Sequence, residues 1–572
     1  MAEPPAKRRR LGDGDGEPGA RGDPARVPKS LSRAVSPPTR RRKETAERVL
    51  IPSPFRLTTI RDLPQESNTD AVSLGDLLGD PLIAECWEFN YLHDVDFLMS
   101  HFDEDTRSLT KVHIVHGFWK REDPNRLFLE RYHQIKAPYA DDQQQQAAQY
   151  SNVKLHTAFM PEMFGTHHSK MLILIRHDDT AQVIIHTANM IAKDWTNMTN
   201  GAWISPILAR SASASVSAAR DSAPKIGATD AAAIGSGERF KADLLSYLRA
   251  YNAKRDVCGP LVEELRRYDF SAVRGALVAS VPGKHDVDDE PQVTRWGWAA
   301  ARRALRTVPC HRRQQAAGKR NAEIVAQVSS IATLGASDAW LRRTLFEALS
   351  ATAAGTEKGT GEKPKPDFRV VFPTADEIRR SLDGYSSGGS IHTKVQSAQQ
   401  KKQLQYLRPI FCHWANDCDK GVLQDGPARD GGRKRAAPHI KTYIRYCGGD
   451  GGRDGKDGTT GIDWALLTSA NISKQAWGEA ATNNGSGQIR IASWEIGLLV
   501  WPELLAGCGA RMVGTFGRDL PGRDDLDGDG PLVGLRVPYN LPLQRYGDDE
   551  VPWVATASHS KPDWKGQTWE DP

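Results

Sequence analysis

Apolar residues at Phe240, Leu244, Tyr247, Leu248 and Tyr251 recur at i, i+4, i+7, i+8 and i+11, which predicts an amphipathic helix. Elsewhere the apolar runs shorten to strand length. Lys111–Gly117, Met171–Ile175, Val183–His186, Leu277–Val281, Phe368–Phe372, Trp464–Thr468 and Ile491–Trp501 read as strands. Ser73-Leu74-Gly75-Asp76, backed by Leu77, Leu78, Leu82 and Ile83, has the form of a helix start. Thr374-x-x-Glu377 is a capping box opening another helix. A longer helical pattern follows the Gly/Ser loop Gly384–Ser390 and runs to about 415. Strands alternating with helices in both halves predict an α/β architecture.

Polar stretches punctuate this pattern. Residues 1–50 are rich in Pro, Gly and Arg and read as a disordered basic tail. The polar stretch 284–292 is the expected boundary between an N-terminal domain, 51–290, and a C-terminal one, 291–572. A Gln/Asp-rich loop at 141–150, a Ser/Ala/Gly insertion at about 209–237, and charged Gly-rich loops at 425–436 and 448–461 complete the plan.

Composition narrows the class. The chain has 572 residues, enough for two or more cores, and 39% hydrophobic content with no run near 18 apolar residues. Neither a membrane span nor a secretory leader is expected. Seven scattered cysteines without a Cys-x-x-Cys pair suit a reducing compartment. Of the net charge of +5, residues 1–50 carry +6 (13 basic, 7 acidic), so the remainder is close to neutral at −1. Any nucleic-acid groove must therefore be local. The runs Lys7-Arg8-Arg9-Arg10 and Arg40-Arg41-Arg42-Lys43, with Ser36-Pro37 beside the second, predict nuclear import; a solvated or nonspecifically DNA-binding tail is the competing reading.

The chemistry lies at Phe164-Gly165-Thr166-His167-His168-Ser169-Lys170, at the mouth of an apolar strand. Residues i and i+2 of a strand share a face, so His168 and Lys170 point into one cleft. A neutral imidazole beside an ammonium suits a phosphoryl centre: one attacks phosphorus, the other holds its oxygens. The spacing recurs at His439 and Lys441. Each copy precedes a second shared signature, Thr187-Ala188-Asn189 with Trp195 and Ser469-Ala470-Asn471 with Trp477, in which Trp falls six places after Asn. One His-x-Lys arises by chance; two with the same sequel form a duplicated half-site.

This constellation resembles the phospholipase D superfamily, and more closely its tyrosyl-DNA phosphodiesterase (type 1) branch. The resemblance runs from about 51 to 567 outside the insertions. It includes the segments NYLHDVDFL at 90–98, VSSIATLG at 328–335, GYSSGGS, PHIKTY, TSANISKQAWG and SWEIG. The phospholipases carry Asp five places after Lys; here Ile175 and Tyr446 stand there, a departure that favours the tyrosyl-DNA branch, where Asn serves instead. The resemblance implies two similar α/β domains, each a mixed sheet flanked by helices, related by a pseudo-twofold with one site at their interface.

It also implies hydrolysis of the 3′-phosphotyrosyl bond between DNA and a topoisomerase I-derived peptide, leaving a 3′-phosphate, by a monomer. By position, His168 is the implied nucleophile and His439 the general acid, then base. The two imidazoles need proton affinities held apart, one neutral and one charged. Lys170, Lys441, Asn189 and Asn471 are the implied donors to phosphate oxygens. Four donors can replace a metal ion, so no metal or other cofactor is expected. The orienting groups fall at Asn200 and Glu495, although the family usually has Gln at the first. Phe164 matches an aromatic on which a DNA base stacks. Ser329, Ser330, Thr333, Ser473 and Lys474 match DNA-contacting positions, and Trp553 matches an aromatic on the peptide side.

Blander readings compete. Asn189 and Asn471 could cap helices, and Phe164 could be core; the duplicated context outweighs the first. His113, His116, His167 and His186 read as structural. Asp525–Gly530 begins like a calcium loop but has Arg536 at the twelfth place, and Cys412-His413 with Cys418 is no zinc spacing. A nuclease or lipase of the same superfamily, or a nonenzymatic DNA-binding scaffold, remain the alternative functions.

Overall fold

Two mixed sheets built to one plan dominate the computed structural model, which describes residues 48–120, 123, 150–211, 232–287, 290, 292–310, 321–353, 365–415, 429–447, 461–481, 487–522 and 530–570. The first sheet contains β1 (Ile83–Phe89), β2 (Lys111–His116), β3 (Val153–Thr157), β4 (Met171–Arg176), β5 (Thr180–His186) and β6 (Gly201–Ile204). Across it the order is β3-β2-β1-β4-β5-β6. The second contains β7 (Ala276–Ser280), β8 (Glu323–Gln327), β9 (Asp367–Val371), β10 (Phe411–Cys412), β11 (Thr442–Tyr446), β12 (Gly461–Thr468) and β13 (Glu495–Val500).

Pairing proves the duplication. In the first sheet β1 runs parallel to β2, and β2 to β3, while β1·β4, β4·β5 and β5·β6 are antiparallel. In the second, β8·β9 and β9·β10 are parallel, and β8·β11, β11·β12 and β12·β13 antiparallel. Order and direction match strand for strand. Each His-x-Lys immediately precedes the equivalent strand, β4 or β11.

Several expectations need correction. The boundary at 284–292 falls too late for the sheets, because β7 precedes it yet pairs with β13 of the second sheet. Leu50–Ile51 likewise joins the second sheet, beside Leu532–Arg536. A shared apolar core explains why: Ile173, Val183 and Ile185 pack in one cluster with Val325, Ile444, Leu467 and Leu498. Arg48–Pro572 accordingly form one compact unit.

The helix expected to run to about 415 spans only Ala398–Leu407, since Pro409 removes a backbone donor and the chain enters β10. Gly384–Ser390 is not an open loop but a 3₁₀ helix. Ile491–Trp501 is two strands interrupted at 492–494. Both predicted helix starts have reciprocal capping boxes, at Ser73/Asp76 and Thr374/Glu377. The Phe240 helix runs from Gly237 to Ala250, so it begins where the insertion was expected to end. The tail 1–47, loop 141–149, most of the insertion at 209–237, residues 425–428 and 448–460 of the two charged loops, and 525–529 of the calcium-like segment lie outside the described residues.

Candidate active site

Alternation along the entry to β4 sorts its side chains. His167 and Ser169 turn toward the Gly237–Ala250 helix and the turn after it: His167 Nε2 is 2.9 Å from the Tyr251 hydroxyl, and Ser169 Oγ bonds the Tyr247 hydroxyl. His167 Nδ1 meets the Asn90 carbonyl at 2.7 Å, so this imidazole is fully committed to structure. His168 and Lys170 take the opposite face, as the strand period requires. In both half-sites the lysine ammonium donates to the carbonyl of its paired histidine, Lys170 to His168 at 3.4 Å and Lys441 to His439.

The histidine of each His-x-Lys is held from the other half. The His168 amide donates to the Trp494 carbonyl at 3.0 Å, and its Nδ1 lies 2.9 Å from Glu495 Oε2. Ser469 Oγ donates to the same carboxylate oxygen at 2.6 Å. Conversely, the His439 amide donates to the Thr199 carbonyl at 2.9 Å, and its Nδ1 lies 3.1 Å from Asn200 Oδ1. Ala437–Pro438 pairs with Met198–Thr199 to fix that junction. With Nδ1 protonated and engaged in each ring, Nε2 is left as the free nitrogen.

Asn200 thus reaches the imidazole despite lacking a methylene. The Thr187 hydroxyl donates to its Oδ1 at 2.9 Å, and its Nδ2 donates to the Asp194 carbonyl at 2.7 Å. The residue missed in the sequence is Asp194, whose Oδ2 also lies 3.1 Å from His439 Nδ1. It accepts the Asn189 amide at 2.7 Å and is buried. A sequence signal existed: Asp194 sits five places after Asn189, where the second copy has Ala476. The duplication is broken there.

The two asparagines are held differently. Asn471 Oδ1 accepts the amides of Ser329 at 3.1 Å and Ser330 at 2.9 Å, which turns its Nδ2 away from them. Asn189 is buried, and its Oδ1 lacks a hydrogen bond among the described residues. Neither caps a helix.

Burial dominates the electrostatics. His168 is pushed down to about 4 by desolvation, with Glu495 opposing and Lys170 assisting. Lys170 falls to about 8, again mainly by burial, with Glu495 and Asp194 opposing. Burial raises Asp194 above the usual carboxylate range. His439 is driven well below its ordinary value by burial, Lys441, Lys170 and His168. The expectation of one neutral and one charged imidazole is therefore corrected. Burial is the largest cause for both and the neighbouring lysines add to it, so both imidazoles are held toward the neutral form.

The remaining predicted residues divide. Phe164 is 64% exposed at φ 60°, on the same segment as His168, so it is not core. Thr333 is exposed and its hydroxyl accepts from Gln400 at 3.0 Å. Ser473 Oγ is occupied as the cap of the turn Lys474–Trp477, accepting the Ala476 amide at 3.0 Å. Trp553 does not face a substrate: it is fully buried, donating to the Gly388 and Ile391 carbonyls and stacked on Tyr385 and His559. Its ring fills the space a Cβ on Gly388 would need, so it shapes the Gly384–Ser390 turn from behind. Among the described residues, no group of three or more His, Cys, Asp or Glu is placed to hold a metal ion, and no helix is long and apolar enough to cross a membrane.

Comparison with known proteins gives a consistent result. Residues 54–547 match the family model described as tyrosyl-DNA phosphodiesterase. A probable tyrosyl-DNA phosphodiesterase of Schizosaccharomyces pombe is 28% identical, over 94% of this chain and 99% of its own. Tyrosyl-DNA phosphodiesterase 1 of Arabidopsis thaliana is 28% identical, over 91% and 77%. The crystal structure of the yeast tyrosyl-DNA phosphodiesterase superposes with a TM-score of 0.56 at 19% identity, covering 87% of this chain and 98% of that one.

Proposed function

The chain belongs to the tyrosyl-DNA phosphodiesterase family, and from that membership we propose that it hydrolyses 3′-phosphotyrosyl bonds between DNA and topoisomerase I-derived peptides, as a DNA repair enzyme. The observation that carries this reading is the crossed arrangement of the half-sites. Each histidine is oriented through Nδ1 by the opposite half, with its own lysine donating to its carbonyl.

The chemistry then has two steps. His168 Nε2 attacks phosphorus, and the P–O bond to tyrosine breaks as His439 Nε2 delivers a proton to the departing oxygen. Positive charge left on the His168 ring is balanced by Glu495 at Nδ1. In the second step His439, now neutral, takes a proton from water, whose oxygen attacks phosphorus; the P–N bond breaks, releasing the 3′-phosphate. Lys170, Lys441, Asn189 and Asn471 stabilise the charge that grows on the nonbridging oxygens. A phosphodiester anion between the lysines offsets their potential, which raises the proton affinity of His439 and lets it begin as an acid.

Support for DNA as partner comes from the family membership and from exposed Phe164 beside the nucleophile. Ser329 and Ser330, whose amides hold Asn471 Oδ1, and Lys474, three places after Asn471, serve the phosphate backbone in this reading. We place the enzyme in the nucleus on the basic runs of residues 7–10 and 40–43. The test is a single-stranded oligonucleotide ending in 3′-phosphotyrosine. Wild type should yield the 3′-phosphate, His168→Ala nothing, and His439→Asn a trapped DNA–protein adduct. No conversion by folded wild type would refute the assignment.

A further inference from the structure

Trp119 lies against Phe164, with ring centroids 4.9 Å apart and planes inclined at 56°. Trp119 is only half-buried and Phe164 largely exposed, so the pair forms an aromatic rim rather than core. Exposed Lys120 places its ammonium 5.3 Å from the centre of the Trp119 ring. A flat aromatic surface edged by a cation suits a nucleobase with its phosphate.

The rim is rigidly held. Phe164 adopts φ 60°, a conformation that a bulky residue keeps only when its surroundings impose it. Those surroundings are visible. Glu162 pairs with Arg490, the Thr166 amide donates to Ser493 Oγ at 3.0 Å, and Gly165 lies so close to the Ala492 carbonyl that a Cβ would meet it at 2.1 Å. On the other side, Thr166 bridges to Phe118, which fixes the neighbour of Trp119. Three residues separate Phe164 from His168, so the platform is tied to the proposed nucleophile through one short pinned segment.

We infer that Trp119 and Lys120 extend the base-stacking position that the family resemblance implies at Phe164 into a two-ring platform for successive unpaired DNA bases next to the scissile phosphate, with Lys120 on the intervening backbone. This deepens the DNA 3′-end reading of the site and rests on it. The rings already touch, so no base fits between them. Their inclination instead offers two faces to two neighbouring bases. Single-stranded DNA is the ligand this geometry selects, because a paired end keeps its bases stacked on each other.

Binding tests the platform without turnover. A fluorescent single-stranded oligonucleotide ending in 3′-phosphate is titrated with wild type, Trp119→Ala and Trp119→Phe, using intact DNA and versions abasic at one of the last three positions. Trp119→Ala should weaken binding about ten-fold, with Trp119→Phe recovering most of the loss. At one abasic position wild type should weaken to the level of Trp119→Ala, and the two proteins should become equal. Unchanged binding by Trp119→Ala, or the same loss on every abasic oligonucleotide, would overturn the platform, as would wild type that ignores single-stranded DNA. Base-dependent binding without cleavage of the phosphotyrosyl substrate would refute the proposed reaction and leave the platform standing.

Discussion

Asp194 and Asn200 present two different groups to one nitrogen, and their contributions to the proposed His439 cycle separate by chemistry. The amide can only orient the ring, whereas the carboxylate also raises its proton affinity. Asp194→Asn should leave His439 aligned but a weaker base for the water step. The covalent DNA adduct should then persist about ten-fold longer, read by denaturing gel after single-turnover mixing; an adduct lifetime equal to wild type would assign Asp194 to structure alone. Both site lysines are shifted toward the neutral form, Lys441 well below its ordinary value by burial and by Lys170, and Lys170 should supply one alkaline limb. With its proton affinity lowered to about 8, it loses charge as pH rises through that value, so kcat/KM should fall above about pH 8. Lys170→Arg stays charged there and should lack that limb; a limb that survives the substitution belongs to another group. At this scale the sequence was informative where spacing carried meaning: the i, i+2 rule placed His168 with Lys170, and repetition paired them with His439 and Lys441. It was silent on Asp194, because an acid near the start of a helical segment looks like an ordinary charge. It misplaced Trp553, because a Trp in a Pro-rich tail gives no sign of being fully enclosed.

Helix and strand positions followed from periodicity, but their ends followed from tertiary contacts. The helical pattern to about 415 fails at Leu407 because the next residues turn into β10, where the C-terminal tail docks. Cys412 bridges to Arg545, and the His413 amide donates to the Gln544 carbonyl at 2.9 Å. His413 closes this docking with its side chain, Nε2 lying 2.7 Å from Glu550 and Nδ1 3.6 Å from Glu377. Burial alone would depress the imidazole, yet the two carboxylates outweigh it and raise the group to about 9. A folded-state value above the unfolded 6.5 means that the clamp contributes fully below pH 6.5 and is lost as pH rises through about 9. Thermal stability should decline across that window by up to about 3 kcal/mol. Glu550→Gln should flatten the decline and start from a lower Tm. A wild-type Tm that is level from pH 6.5 to 9 would remove the clamp from the balance.

Two sheets of identical pairing, each entered by a His-x-Lys, make the duplication legible, but only the folded chain shows that the two junctions cross. Residues 165–168 lean on 492–495, and 199–201 lean on 437–440, so each junction serves a different imidazole: the first the proposed nucleophile, the second the group proposed as acid in the first step and as base in the second. Two glycines sit at these junctions. A Cβ on Gly165 would meet the Ala492 carbonyl oxygen at 2.1 Å, a backbone atom that cannot step aside without moving the neighbouring segment that orients His168. A Cβ on Gly201 would meet the Ile440 Cδ1 at 2.7 Å, a side-chain tip whose displacement presses on the residue after His439. Gly165→Ala should therefore slow formation of the covalent adduct by about 10²-fold, the cost of misplacing a nucleophile by roughly 1 Å. Gly201→Ala should act more mildly and on the second step, so that adduct accumulates. Quenched single-turnover reactions on the 3′-phosphotyrosyl oligonucleotide resolve both rates. Equal slowing of both steps in both variants would mean that the junctions act as one hinge, and that the division of labour between the halves is lost on perturbation rather than inherited by each histidine.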